Sequence, residues 1–171
     1  MRVITTIPQG NVREAAAAAK DIEAKGFDGI VTQENKHDAF LPLAAAATVT
    51  DRVELATGIA ISFARSPMVA AQMSWDLCSS TNGRFVLGLG TQIKAHNEKR
   101  FSVPWSAPAP RMREYLQALR AIWNSWATGE RLRYEGNHYT FTLMTPNFTP
   151  PHTFTGLPKV TLAAVGPYTV S

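Results

Sequence analysis

The densest run of ionisable side chains in this sequence is Glu34, Asn35, Lys36, His37 and Asp38, directly after the apolar stretch Gly29 to Thr32. A carboxylate or an imidazole in such a place can pass a proton to a bound molecule or polarise its carbonyl, provided a fold holds it in reach. Glu34 and His37 also suit a solvated loop, where ionisable residues are common. Three further groups follow apolar runs in the same manner: Thr57, Gly58, Ile59, Ala60, Ile61, Ser62 and Phe63; then Gly90, Thr91 and Gln92; then Ala163, Ala164, Val165, Gly166 and Pro167. They offer small side chains and backbone rather than charge. His96, His138 and His152 lack metal-ligand spacing, so no metal site is read from them. Gly88-Leu89-Gly90 starts like a dinucleotide fingerprint, but Ile93 stands where the third glycine belongs. These glycines are read instead as letting a helix or ligand approach the strand, or as relieving crowding in an interior.

Composition limits what such residues can serve. With 45% hydrophobic and 18% charged positions, the 171-residue chain has material for a core and excludes collagen-like or disordered classes. A net charge of +4 is mild. Lys94, Lys99 and Arg100 gather in one loop-like stretch that, without interleaved aromatics, reads as a solvated turn and not as a nucleic-acid patch, while the overall charge balance suits a small anionic ligand. The lone Cys78 has no partner for an internal disulfide and reads as a buried small apolar residue in a reducing, cytoplasmic setting. The start MRVITTIPQG lacks the charged head and unbroken apolar stretch of a signal peptide, and no run approaches the roughly 18 apolar residues of a membrane span.

The elements that must position these groups are legible from pattern. Val3 to Ile7, Gly29 to Thr32, Val53 to Ile61, Phe85 to Leu89 and Val160 to Val165 are rich in β-branched and apolar residues and read as strands. Several are apolar on both faces, as a parallel strand covered on both sides requires. Asn11 with Glu14 makes a capping-box-like start to an alanine-rich helix ending at Gly26, and Ser66-Pro67 opens another that closes near Gly83. From about Pro110 to Thr128, Met112, Tyr115, Leu116, Leu119, Ile122, Trp123 and Trp126 recur at three- and four-residue steps, the stripe of a helix packed on a core.

Strand and helix alternate, so the fold class is α/β with a parallel sheet. Strand starts near residues 3, 29, 53 and 85 are one βα unit apart, whereas the step to Val160 must hold an excursion. Arg131 to Phe141 reads as a hairpin around Gly136 and Asn137, and Thr145 to Pro158 as an irregular loop. No repeat or linker divides residues 1–171, so one domain is expected. Such strands can form an open doubly wound sheet or part of a closed barrel of roughly 250 residues, and periodicity does not choose between them. In both, ligands sit at the carboxyl ends of the strands.

The runs GFDGIVTQE, ATGIAISFARSPMVAAQ, NGRFVLGLGTQ, APRMREYLQALRAIW and KVTLAAVGP, in this order, resemble successive landmarks of luciferase-like oxidoreductases, in particular the coenzyme F420-dependent branch. The resemblance covers nearly the whole chain. It implies a partial TIM (β/α)8 barrel, the first five parallel strands with a hairpin insertion before the fifth. It implies a bulge with a non-proline cis peptide at Gly58 and Ile59 against one face of the cofactor ring, with Ala60 and Ile61 beside it. It implies Glu34 and His37 near the reactive carbon, Thr91 and Gln92 facing the cofactor, and Ala164 and Gly166 approaching it by backbone. The expected activity is hydride transfer between F420 and a small organic substrate. An FMN-dependent monooxygenase of the same fold, or a non-catalytic half-barrel, stand as alternatives.

Two departures qualify the resemblance. Members that oxidise sugar phosphates carry a histidine where this chain has Asn35 and a carboxylate where it has Ile93, so that substrate class is not expected. The family's phosphate grip draws on later strands, for which this sequence has no counterpart, so the expected partners are a missing carboxyl-terminal half or another copy of the chain.

Overall fold

A computed structural model describes residues 1–164. Its contacts group into two compact units: Met1–Ala60 with Asp76–Gly90 and Phe154–Ala163, and Ile61–Trp75 with Thr91–Thr153 and, among the described residues, Ala164.

The first unit carries the parallel sheet. Strands β1 (Ile4–Thr6), β2 (Gly29–Thr32), β3 (Glu54–Thr57), β5 (Phe85–Gly90) and β8 (Lys159–Leu162) lie side by side in that order. Every adjacent pair is parallel, with Ile4 opposite Gly29, Ile30 opposite Leu55, Leu55 opposite Phe85 and Leu87 opposite Val160. A doubly wound sheet starts in its middle and reverses at a switch point, whereas here each new strand is added on the same side. That is the progression of a barrel wall. Ile30, Leu55, Phe85 and Leu87 are fully buried together with Ala15, Ala19, Leu43 and Ala46 from the covering helices. Each large apolar side chain so buried contributes about 1.5–3 kcal/mol. The outer strands are wetter, with Ile4 49% and Leu162 37% exposed.

Helix α1 (Val12–Ala24) begins where the sequence says it should: Asn11 Oδ1 accepts from the Arg13 amide at 2.9 Å, and Gly26 at φ 82° ends the turn after it. Two helices were not legible. In α2 (Phe40–Ala47) the sequence FLPLAAAA has no polar stripe to reveal its period. It starts because Asp38 Oδ1 accepts from the amides of Phe40 and Leu41 at 2.7 and 3.0 Å. Residues expected to form a loop around Lys94 and Lys99 instead form α4 (Lys94–Lys99), with Arg100 as its cap. The single strand expected over Val53 to Ile61 is divided, β3 stopping at Thr57 and the two-residue β4 (Ala60–Ile61) following the break.

In the second unit, α5 (Pro108–Thr128) buries Met112, Tyr115, Leu119, Ile122, Trp123 and Trp126 of the expected stripe and leaves Leu116 half-buried. Trp126 meets Trp75 edge-on at 5.4 Å, and Trp123 Nε1 donates to the Ala71 carbonyl at 3.3 Å. The stripe is core. The hairpin forms from β6 (Tyr134–Glu135) and β7 (Thr140–Phe141). Helix α3 (Pro67–Thr81) has residues in both units, and Met68 N donates to Ser66 Oγ at 3.2 Å at its start.

Candidate functional site

The carboxyl ends of β2, β3 and β5 come together in the first unit through three close approaches at glycines. A side chain on Gly88 would collide with the Thr57 carbonyl, one on Gly58 with Val31 Cγ2, and one on Gly90 with Ile59, whose Cδ1 lies 2.7 Å from where that Cβ would be. At the β3 end the ladder to β5 is continued by a side chain: the buried Thr57 hydroxyl accepts from Gly88 N at 2.8 Å and donates to Gly88 O at 2.7 Å. The peptide bond Gly58–Ile59 that follows is cis. The half-buried Ile59 thereby rests on Gly90, beside Ala163, whose amide extends the β5–β8 ladder by donating to Leu89 O at 2.9 Å. The result is a small apolar ledge.

The polar loop after β2 is fastened to this ledge. Gly58 N donates to Thr32 O at 2.7 Å, and Glu34 N to Ile59 O at 3.3 Å. On its other side the loop meets the segment after β1. Gln9 Nε2 donates to Gln33 O at 2.7 Å while Gln9 Oε1 accepts from Gln33 N at 3.2 Å. His37 lies against Gly10, its Nε2 about where a Cβ on that glycine would make ordinary contact, at 3.6 Å. Glu34 is half-buried and His37 exposed. The arrangement ties the backbone of Glu34 to an apolar ledge, with His37 further along the same loop.

The remaining candidate residues are placed as follows. Ala60 and Ile61 are 1% and 0% exposed, so only their backbone can meet a ligand, and the Ile61 carbonyl accepts from Arg65 Nη1 at 3.2 Å. In the second unit, Thr91 O accepts from Asn97 Nδ2 at 2.9 Å, and Gln92, at φ 58°, accepts on Oε1 from Ile93 N at 2.9 Å. Ala164 is exposed there, and Gly166 lies outside the described residues. Two histidines have structural contacts: His152 packs 4.9 Å from Trp75, and His138 N donates to Glu114 Oε2 at 2.8 Å. Sequence reasoning passed over Gln9, because a lone glutamine in a loop carries no signal until its partner strand is known.

Residues 2–171 match the family described as luciferase-like monooxygenase. An uncharacterised Mycobacterium tuberculosis protein is 55% identical over 152 residues, 89% of this chain and 45% of that protein. A second M. tuberculosis protein, provisionally named a coenzyme F420-dependent oxidoreductase, is 34% identical over 80% of this chain and 38% of its own length. The solved monooxygenase RslO1 of Streptomyces bottropensis has the same fold, with a TM-score of 0.78 at 20% identity over 95% of this chain and 53% of that one. The chain therefore spans about half the length of the relatives it matches.

Proposed function

Because this chain belongs to the luciferase-like monooxygenase family, we propose that it supplies part of an oxidoreductase site that moves a hydride between coenzyme F420 and a small organic substrate. The observation that carries the reading is the Ile59 ledge on Gly90 with Glu34 fastened beside it. A flat heteroaromatic ring needs an apolar support on one face and a proton-handling group at its rim, and these residues fit both needs. Bound F420 supplies two-electron hydride chemistry; orientation and proton handling fall to the protein.

Ile59 supports the ring face, with Gly58 and Ala60 offering backbone around it. Glu34 holds or releases a proton at the substrate, and His37 is the second group able to do so. For Ile61, Thr91, Gln92, Ala164 and Gly166 a cofactor role rests on the family resemblance alone. The F420-dependent name of one relative supports the choice of cofactor.

FMN with oxygen activation is the second reading, favoured by the family's description and by the monooxygenase fold match. Titration of the chain with oxidised F420 and with FMN, followed by absorbance and fluorescence, separates the two. Saturable binding of F420 in preference to FMN is expected. A preference for FMN replaces the first reading by the second, and binding of neither at high micromolar concentration overturns both. Glu34→Gln and Ile59→Ala are expected to weaken the binding seen.

A further inference from the structure

The carboxamide of Gln9 does for the loop after β2 what a neighbouring strand does for a strand: it gives one donor and one acceptor to the same residue, Gln33, at 2.7 and 3.2 Å. Beyond β1 and β2 the backbone ladder has ended, so this side chain is what continues their pairing. The reverse orientation of the carboxamide would set its NH2 against the Gln33 amide and its oxygen against the Gln33 carbonyl, so the geometry admits one arrangement. The next residue is Glu34, whose own amide is bound to Ile59 O at 3.3 Å on the opposite side. The segment Thr32 to Glu34 is thus held from both flanks, by Gln9 on one and by Gly58 and Ile59 on the other.

We infer that Gln9 is a positioning residue: it holds Glu34 in the orientation the site requires and acts on a bound ring only through that carboxylate. The inference deepens the functional reading above and rests on it. Gln9→Met keeps the length of the side chain and removes both hydrogen bonds, and Gln9→Asn, too short by one methylene to make both, is the second variant should the first fold poorly.

The first measurement needs no cofactor. Amide hydrogen exchange at Gln33 and Glu34 is expected to speed up about tenfold in Gln9→Met while the β5 amides keep their protection. Unchanged exchange at Gln33 overturns the clamp. The second is a double-mutant cycle read as F420 affinity. Gln9→Met is expected to weaken binding about fivefold in the native background and less than about twofold when Glu34 is already Gln. Equal effects in both backgrounds overturn the positioning role while leaving the functional reading in place. No F420 binding by the unaltered chain overturns that reading, and with it any role of Gln9 toward the ring.

Discussion

The Thr57 hydroxyl exchanges two hydrogen bonds with a single residue of the next strand, accepting from Gly88 N and donating to Gly88 O. Thr57 is 2% exposed, so neither backbone group of Gly88 has water to fall back on there. Thr57→Val keeps the shape and leaves a buried donor and acceptor without partners, which is expected to cost about 2–4 kcal/mol in urea unfolding. Thr57→Ser keeps the hydroxyl and should cost about 1 kcal/mol for the lost methyl. Equal losses for the two would show that the hydroxyl is not what matters. Gly88→Ala should be worse than either, near 3 kcal/mol or more, because its Cβ meets rigid backbone.

Ile59 and Gly90 are expected to be energetically coupled. Gly90→Ala places a methyl group 2.7 Å from Ile59 Cδ1 and should destabilise by about 1–3 kcal/mol. In an Ile59→Ala background the same change should cost about 1 kcal/mol less, since its collision partner is gone. Strict additivity would show that the ledge does not rest on Gly90.

Glu23 closes the loop before β3: its carboxylate accepts from the amides of Asp51, Arg52 and Val53 at 2.7 to 3.1 Å. Burial works to raise its pKa, but these amides of Asp51, Val53 and Arg52, with the Arg52 charge, outweigh it and hold the group below its ordinary value. A depressed folded-state pKa means stability that is present above the unfolded value and disappears as pH falls through the folded one. Glu23→Gln should therefore lower the melting temperature at pH 7, and the gap to the native chain should narrow progressively as pH falls below the ordinary glutamate value of about 4.3. A gap of constant size from neutral pH into the acid range would refute the account.

Cys78 is 1% exposed, and burial pushes its thiol up to about 12. In the folded chain it should resist alkylation by iodoacetamide at pH 8 and react promptly once urea unfolds the protein. Rapid labelling without denaturant would contradict the burial.

Among the described residues β1 pairs only with β2 and β8 only with β5, and Ile4 and Leu162 on them are partly exposed. Unpaired strand edges with apolar side chains favour association with another copy. The 171-residue chain is expected to sediment as an oligomer at micromolar concentration. A cooperative monomer would rule this out.

Element type was legible wherever local chemistry is self-sufficient. The strand at Gly29 to Thr32 shows it in its apolar run, the start of α1 in its asparagine cap, and the face of α5 in the three- and four-residue spacing of its aromatics. Helix α2 escaped because a uniformly apolar sequence has no period to read, and its start depends on Asp38, which looked like a member of the reactive loop. The same limit applies at the site: a sequence can place Glu34 after a strand, but not tell whether its loop is held or free.

Burial and capping act over a few residues, so the alternation of five apolar runs with helices, and the small residues that follow those runs, can be read from the chain alone. Strand order cannot: that each strand is added on the same side of the last, which separates a barrel wall from a doubly wound sheet, emerges in the folded chain. Folding alone sets Ile59 on Gly90, Thr57 on Gly88 and Gln9 on Gln33. Those contacts join residues 24 to 31 positions apart, and their partners depend on strand order, which no local pattern encodes.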